Sequence, residues 1–302
     1  MRALVTGASG CIGRHALEPL LSSGFEVHAL ARSSTGRDGA PDPRLTWHAA
    51  DLLDDRAASA IVADLRPEVL LHLAWNATPG VYWTAPDNAD WQRATVDLFS
   101  AFVRAGGRRF VGAGTCAEYE WSSAAPCDER QTPTCPATLY GRCKLDTWTT
   151  IERLASDAGV SAAWGRIFHL FGSDEHPSRL APSVARSLLK GEPALCTHGE
   201  QVRDFLYVKD VAGAFVTLLR SQVEGPVNIG SGETHQVKDV VLGIARRLGR
   251  PELVRLGARE SNEPARLVPS VARLFDDVGW RPSMSFDEAL DETVDYWRRR
   301  AG

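Results

Sequence analysis

The chain has 302 residues, of which 44% are hydrophobic and 24% charged, and its formal net charge is -4. This balance is typical of a globular protein with a sizeable core, and the interspersed charges argue against a nucleic-acid-binding surface. No apolar run approaches the roughly 18 residues that a membrane-spanning helix needs. The first residues lack the apolar core and cleavage site of a secretion signal, so we expect a cytoplasmic protein without a membrane partner.

The six cysteines do not have the spacing of a metal site or a disulfide framework. None of them forms a CxxC pair, and four lie between positions 116 and 143. Metal-binding and disulfide-rich chains usually show paired, regularly spaced cysteines. We therefore expect reduced thiols and no bound metal.

The first half of the chain alternates strand-like runs with amphipathic helical patterns. The β-branched, apolar runs lie at residues 2–6, 26–30, 45–49, 69–74, 108–114 and 161–168. Helical patterns lie between them, for example at residues 11–24 and 95–107. This alternation predicts a parallel sheet that is covered by helices on both faces.

The pattern loosens after about residue 165 into short strands and loops rich in Pro and Gly. Residues 205–220 predict a strand and a helix that return to the main sheet, and residues 285–300 predict an amphipathic helix. The fold class predicted is α/β, with a Rossmann-type doubly wound sheet and a smaller, discontinuous C-terminal α/β substrate domain. The boundaries expected are 1–165 and about 204–228 for the Rossmann domain, and about 166–203 and 229–302 for the substrate domain.

A glycine-rich turn follows the first predicted strand directly. Gly7, Gly10 and Gly13 lie in TGASGCIG, where the first helix begins. Glycine allows the tight turn, the close approach of a pyrophosphate to the backbone, and the packing of helix on sheet. The N-terminus of the helix then presents free N–H groups to the phosphates. The turn therefore predicts a dinucleotide site.

The end of the second strand indicates which dinucleotide is bound. An acidic residue there would bind a free ribose 2′-hydroxyl, but the sequence has Ala31, Arg32 and Ser33, with Arg37 nearby. A small residue followed by arginine leaves room for a 2′-phosphate and supplies its counter-charge. We predict NADP (NADPH) as the cofactor, with NAD less favoured. The alternative is that Arg32 is only a solvated surface charge.

Tyr140 and Lys144 are spaced four residues apart in a helical pattern, so their side chains share one face. A lysine ammonium can lower the pKa of the phenol and hold the nicotinamide ribose, which makes the tyrosine a proton donor and acceptor. Thr115 ends a predicted strand and can hydrogen-bond the reacting oxygen. We predict a proton relay of Thr115, Tyr140 and Lys144; the alternative is a capping threonine beside a surface pair.

Eight ordered motifs resemble those of the extended short-chain dehydrogenases, also called NAD-dependent epimerase/dehydratases. They are TGASGCIG, HAADLLD, HLAW, GTCAEY, RIFHLFG, VRDFLYVKDVA, VNIGSGE and DVGWRPSMSFDEAL, and they extend along almost the whole chain. The resemblance implies a nucleotide-diphosphate sugar as substrate, and a homodimer that pairs through helices at about 88–105 and 138–157. The cofactor contacts that it implies are Gly7, Gly10, Cys11, Ile12, Gly13, Arg32, Ser33, Asp51, Leu52, Leu73, Ala74, Tyr140, Lys144 and Phe168.

Departures from the family motifs narrow the reaction. Sugar 4,6-dehydratases of the family carry an acidic pair after the catalytic threonine, where this chain has Cys116 and Ala117. Without a general acid there, dehydration is disfavoured, although Glu118 lies one position further on. Because NADPH drives reductions, we predict an NADPH-dependent NDP-4-keto-6-deoxyhexose reductase. The alternatives are an NDP-sugar C4 epimerase that recycles its cofactor and a non-catalytic NADP-sensing protein.

Candidate substrate contacts come from four parts of the chain. The aromatic segment 75–91 lies above the fourth strand, and Cys116 follows the catalytic threonine. His169 replaces an asparagine that is common in the family, and the resemblance implies Arg203 as the contact to the substrate diphosphate. Each has a structural alternative: a packed aromatic loop, an inert thiol, a buried histidine or a surface ion pair. The substrate-binding residues predicted are Trp75, Tyr82, Trp83, Asn88, Cys116, Ala117, His169, Arg179 and Arg203.

Overall fold

The chain folds around a parallel sheet with helices on both faces, in a computed structural model that describes residues 1–32, 42–121 and 125–301. The predicted residues Ser33 and Arg37 lie outside these ranges. The helices are α1 Gly13–Ser22, α2 Asp55–Leu65, α3 Asn88–Arg104, α4 Leu139–Ala158, α5 Leu180–Leu189, α6 Val208–Arg220, α7 Val237–Leu248 and α8 Phe286–Ala301. The strands are β1 Arg2–Thr6, β2 Glu26–Ala31, β3 Leu45–Ala49, β4 Val69–His72, β5 Arg109–Thr115, β6 Ser161–Ile167, β7 His169–Phe171, β8 Ala194–Leu195, β9 Val202–Arg203, β10 Phe205–Tyr207, β11 Gly225–Ile229, β12 His235–Gln236, β13 Val254–Arg255 and β14 Arg266–Leu267.

The main sheet within these ranges has seven parallel strands in the order β11-β6-β5-β4-β1-β2-β3. The strand order reverses between β1 and β4, which pair in register from Ala3 opposite Val69. In a doubly wound sheet this reversal opens a crevice at the carboxyl ends of the strands. The predicted Rossmann-type α/β fold class is confirmed.

The strand predicted near residue 205 does not join the main sheet. β10 pairs with β7 instead, with Phe205 opposite His169. The strand that completes the main sheet is β11, which lies beside β6 and contributes the buried residues Val227 and Ile229. β10 is three residues long and leads straight into α6, so only the helix returns to cover the sheet.

Two apolar cores lie on the two faces of the sheet, and a third joins α5, α7 and α8. Phe99 and Phe102 of α3 and Trp148 of α4 are fully or almost fully buried in the second core. These side chains therefore stabilise the chain's own fold, and the predicted homodimer would need the outer faces of α3 and α4. The predicted domain boundaries and the dimer stay predictions. No helix in the described part of the chain could cross a membrane.

The loop after β7 connects the first helix with the last one. Asp174 has a left-handed backbone with φ of 60°, and its carboxylate accepts hydrogen bonds of 2.6 Å from both Arg14 of α1 and Tyr296 of α8. The neighbouring Glu175 is buried and accepts a hydrogen bond of 2.9 Å from the backbone of Gly172. Burial raises the pKa of Glu175 to about 7.

Candidate active site

The glycine turn forms the floor of an open crevice at the carboxyl ends of the strands. Gly7 has φ of 66°, and a Cβ there would lie 2.8 Å from the backbone of Leu73 and Ala74. A Cβ on Gly13 would lie 2.1 Å from the carbonyl oxygen of Gly7, so α1 packs closely under the turn. Only glycine satisfies these contacts, and the resulting cradle fits the pyrophosphate of a dinucleotide.

The crevice walls contain many, but not all, of the predicted cofactor residues. Asp51 is exposed next to them, where its carboxylate accepts a hydrogen bond from the backbone of Leu53. Cys11, Ile12 and Phe168 pack into apolar clusters and do not line this crevice. Sequence reasoning missed Ser9, Leu53, Asn76 and Asp87, which carry no motif of their own. The lining residues are Gly7, Ser9, Gly10, Leu30, Ala31, Arg32, Ala50, Leu52, Leu53, Leu73, Ala74, Trp75, Asn76, Ala77, Thr78, Asp87 and Trp91.

The rim of the crevice at the end of β2 carries a positive charge. Ala31 is buried and Arg32 is exposed, and both line the crevice. The position of the guanidinium is therefore compatible with a contact to the adenosine ribose. No group of three or more His, Cys, Asp and Glu side chains is arranged to hold a metal ion within the described ranges.

Thr115 lies where the buried strand β5 ends and a 3-10 turn, Cys116–Glu118, begins. Its side chain accepts a hydrogen bond of 3.2 Å from the backbone of Ala117. Its backbone N–H donates to Glu118 at 2.8 Å. The other carboxylate oxygen of Glu118 accepts from Arg166 at 2.7 Å, inside the core. Both oxygens of Glu118 are therefore engaged in the core, which argues against a role in place of the missing acidic pair.

Tyr140 and Lys144 lie one turn apart at the start of α4. A Cβ on Gly141 would lie 2.3 Å from the carbonyl oxygen of Ala117, so glycine lets the helix approach the end of β5. The Lys144 ammonium donates a hydrogen bond of 2.7 Å to the carbonyl of Ala113. It lies 6.0 Å from the centre of the Tyr140 ring. The fold thus brings the predicted relay residues together.

Burial controls the electrostatics of the relay. It raises the pKa of Tyr140 above the ordinary range of a phenol, and hydrogen bonding with Thr115 opposes this rise only in part. Burial also lowers the pKa of Lys144 to about 7. The sequence predicted that Lys144 would lower the pKa of Tyr140. In this structure burial of the phenol has the larger effect, so the pKa of Tyr140 is raised and the prediction is wrong.

The aromatic segment 75–91 covers the relay. Tyr82 and Trp83 lie edge-on to the Tyr140 ring, with ring centres 4.8 and 5.9 Å away. The Trp75 ring lies over the Lys144 ammonium, and Nζ is 3.9 Å from the centre of the ring. Asn88 is 1% exposed and holds the segment together through hydrogen bonds to its members. The three aromatic residues therefore border the site, whereas Asn88 supports them from inside.

Cys116 and Ala117 lie beside the relay and are buried. The pKa of the Cys116 thiol rises to about 12, mainly because of burial and also because of the nearby Cys127. A thiol with so high a pKa stays protonated and is a poor base or nucleophile. This supports the interpretation of Cys116 as an inert thiol, and Ala117 as the surface on which α4 packs.

Three basic side chains lie beyond the relay. Arg203 is 1% exposed and donates to Glu263 at 3.1 Å, and its Nε has no hydrogen-bond partner among the described residues. Within the described part of the chain, Nδ1 of His169 has no hydrogen-bond partner. Burial, together with Arg203 and Arg179, lowers the pKa of His169 to about 3. Arg179 donates to the carbonyl of Ala77 at 3.2 Å, which links it to the aromatic segment. The unpartnered N–H of Arg203 is a donor available to an anion.

Comparisons with known proteins agree with this arrangement. The model of the NAD dependent epimerase/dehydratase family matches residues 3–230. The chain is 25% identical over 307 residues to the UDP-glucuronic acid decarboxylase 1 of Xenopus tropicalis, covering 99% of this chain and 72% of that protein. It is 28% identical over 305 residues to the UDP-glucose 4-epimerase of Corynebacterium glutamicum, covering 93% and 91%.

A similar solved structure is the UDP-glucose 4-epimerase of Thermus thermophilus in complex with NAD. It superposes with a TM-score of 0.87 at 27% sequence identity, covering 99% of both chains. The fold is thus shared along almost the full length of both chains. The protein is an enzyme of the NAD-dependent epimerase/dehydratase family.

Proposed function

We propose that this enzyme is a nucleotide-sugar 4-epimerase that retains and recycles its nicotinamide cofactor. The observation that carries the proposal is that the relay residues lie directly beside the inner end of the crevice. Trp75 lines the dinucleotide crevice and also contacts Lys144, which lies one turn from Tyr140. The reacting sugar carbon would therefore lie between the inner end of the crevice and the Tyr140 hydroxyl.

The residues of the chain supply the proton chemistry. A bound dinucleotide would supply a nicotinamide that can accept the hydride of the sugar C4 and return it to the opposite face. Tyr140, once deprotonated, accepts the proton of the C4 hydroxyl and later returns it, while Thr115 hydrogen-bonds the same oxygen. Lys144 supplies the positive charge that favours the phenolate. Arg203 and the neutral His169 offer N–H donors to the substrate diphosphate.

Two observations favour epimerisation over dehydration. Several relatives and structural neighbours are 4-epimerases of UDP-sugars. The positions after Thr115 are the buried Cys116 and Ala117, and the next carboxylate along the chain, that of Glu118, is paired with Arg166. Since general-acid chemistry needs a positioned proton donor, net elimination has no residue to carry it at this position.

A second candidate function is the NADPH-dependent reduction of an NDP-4-keto-6-deoxyhexose. Ala31 and Arg32 favour it, because the exposed guanidinium at the rim of the crevice suits a ribose 2′-phosphate. A non-catalytic NADP sensor is disfavoured, since the relay is intact and the relatives are enzymes. The solved neighbour contains NAD, so NADP use by this chain is part of the proposal.

One experiment separates the two candidates. The purified full chain is analysed for copurified dinucleotide, then incubated with UDP-glucose or UDP-galactose. A 4-epimerase interconverts the two sugars without net loss of nicotinamide absorbance. A reductase leaves them unchanged and consumes one NADPH for each NDP-4-keto-6-deoxyhexose that is supplied. Activity in neither assay would contradict both assignments.

The variant Tyr140→Phe tests the relay in whichever assay is positive. Loss of the phenol should lower kcat roughly 10²- to 10⁴-fold while dinucleotide binding is retained. The matched control is Tyr296→Phe, because the Tyr296 hydroxyl bonds to Asp174 at the junction of α1 and α8. Equal activity of Tyr140→Phe and wild type would remove Tyr140 from the mechanism.

We also infer a homodimer and a cytoplasmic location. The dimer would use the outer faces of α3 and α4, which pack side by side in the chain. Analytical ultracentrifugation measures the mass of the particle directly. A monomer at micromolar concentration would contradict the dimer, and fractionation of cells that express the tagged chain tests the location.

A further inference from the structure

The indole face of Trp75 covers the ammonium of Lys144. The Nζ atom lies 3.9 Å from the ring centre, within the range of a cation–π contact. The same ammonium donates to the carbonyl of Ala113 at 2.7 Å, and Lys144 is 2% exposed. The indole thus holds the ammonium from one side while the end of β5 holds it from another.

The orientation of this indole is fixed by the first residue of α3. The Nε1 of Trp75 donates a hydrogen bond of 2.8 Å to Asn88 Oδ1. The Nδ2 of Asn88 donates to the carbonyls of Tyr82 and Ala85, both at 2.8 Å. Because Asn88 is buried and fully engaged, the indole cannot rotate without breaking a buried hydrogen bond.

Trp75 also separates Lys144 from water. Its side chain is half-buried and forms part of the crevice wall. On another side Lys144 faces the Trp164 ring, whose centre is 5.5 Å from Nζ. Burial is the largest cause of the lowered pKa of Lys144, and Trp75 is the covering residue that borders the open crevice.

Three other titratable groups face Lys144. Glu118, in the 3-10 turn, raises the pKa of Lys144, but its carboxylate is paired with Arg166. His72 of β4 bonds to Thr6 and Thr95, and burial lowers its pKa to about 3, so it stays neutral. Tyr140, on the same helix, has a raised pKa and stays protonated near neutral pH. His72 and Tyr140 should therefore not titrate in the same pH range as Lys144.

We propose that Trp75 is a positioning residue of the proton relay, which holds the Lys144 ammonium at the Ala113 carbonyl and excludes crevice water from it. The inference rests on the proposed function only in counting Lys144 as part of the relay. The arrangement itself is independent of the sugar and of the direction of the reaction.

The test follows the protonation of Lys144 directly by NMR of the full chain labelled with ¹³C-lysine, with and without added NAD. The sequence has only four lysines, at 144, 190, 209 and 238, so the signal of Lys144 is assigned by its loss in Lys144→Met. In wild type Lys144 should titrate at a pKa of about 7. In Trp75→Ala, water reaches the ammonium, and the titration should move up by about one pH unit or more, toward the ordinary lysine value.

Conservative and control variants make the result specific. Trp75→Phe keeps an aromatic face and should titrate close to wild type, whereas Trp280→Ala removes a partly buried indole that packs beside α6 and should leave the titration unchanged. An unchanged Lys144 titration in Trp75→Ala would overturn the proposal.

A second measurement covers the case in which Trp75→Ala does not fold. The fluorescence of wild type minus that of Trp75→Phe isolates the Trp75 emission, which should change with the same midpoint as the Lys144 signal. The proposal would be overturned if the Trp75 emission does not change over the pH range in which Lys144 titrates. Once an activity is found, the high-pH limb of the pH profile of kcat should move to higher pH in Trp75→Ala, as the NMR titration of Lys144 does. If no sugar is turned over but the titration moves, only the assigned reaction fails.

Discussion

Glu118 and Arg166 form an ion pair with 2.7 Å between Oε2 and Nε, and both side chains are almost completely buried. The second oxygen of Glu118 accepts hydrogen bonds from the backbone of Thr115 and from Trp164 at 2.8 and 2.9 Å. The carboxylate next to the relay is therefore fully used inside the core. It fixes the backbone of Thr115 and balances the buried charge of Arg166.

Replacing this carboxylate by an amide should weaken the fold. In Glu118→Gln the backbone of Thr115 keeps an acceptor, but the buried Arg166 loses its counter-charge. Breaking one side of a buried pair costs about 3–5 kcal/mol of unfolding free energy. Urea unfolding measures this loss. The control is Asp90→Asn, which breaks the exposed pair with Arg93 and should cost less than about 1 kcal/mol. Equal losses in both variants would contradict the importance of the buried pair.

The glycine turn should respond to added methyl groups in proportion to the space at each position. A Cβ at Gly13 would lie 2.1 Å from the Gly7 carbonyl, whereas a Cβ at Gly10 would lie 3.0 Å from it. Gly13→Ala should therefore cost about 1–3 kcal/mol of stability and weaken dinucleotide binding, and Gly10→Ala should cost less. Thermal unfolding and calorimetric titration with NAD test this order, and the reverse order would contradict the close packing of α1.

Arg32 should set the preference between the two dinucleotides. If its guanidinium pairs with the 2′-phosphate, Arg32→Ala should weaken NADP relative to NAD by roughly 10- to 100-fold, since a charged hydrogen bond contributes about 1.5–3 kcal/mol. Calorimetric titration with both dinucleotides gives this ratio. Arg104→Ala removes an equal charge from the exposed end of α3 and should leave the ratio unchanged. A ratio near unity in wild type would argue against NADP.

Glu175 makes stability depend on pH. Its folded pKa is about 7, above the unfolded value of 4.5, so the folded chain keeps a proton that the unfolded chain releases. Stability should therefore fall as pH rises from about 4.5 to 7, by on the order of 3 kcal/mol in total. The free energies of unfolding of wild type and Glu175→Gln are measured in urea at both ends of this pH range. The stability of the variant relative to wild type should be greater at the upper end than at the lower end. Glu152→Gln, at an exposed position of α4, is the control with a constant difference.

The features of the fold that depend on local sequence were predictable, whereas those that depend on packing between distant segments were not. The glycine turn and the first six strands follow from residue type and spacing, because strands buried on both faces must be apolar. The position of β11 beside β6, and the pairing of β10 with β7, depend on contacts between distant segments. The prediction that the strand near residue 205 returns to the main sheet was therefore wrong.

The site shows the same division. The spacing of Tyr140 and Lys144 places them one helical turn apart, so their proximity follows from the sequence. The position of Trp75 over Lys144 does not, because it depends on how segment 75–91 folds back onto α4. The raised pKa of Tyr140 likewise reflects the aromatic rings of that segment, which no pattern of charges reveals.

The carboxylate of Asp174 connects two helices that are far apart in the sequence. It is shared between Arg14, on the helix that begins at the glycine turn, and Tyr296, on the last helix. The loop after β7 is therefore held by segments near both ends of the chain, and release of either segment removes one of these two contacts. Local unfolding that begins in the last helix should reach the phosphate end of the crevice before it reaches the middle of the sheet.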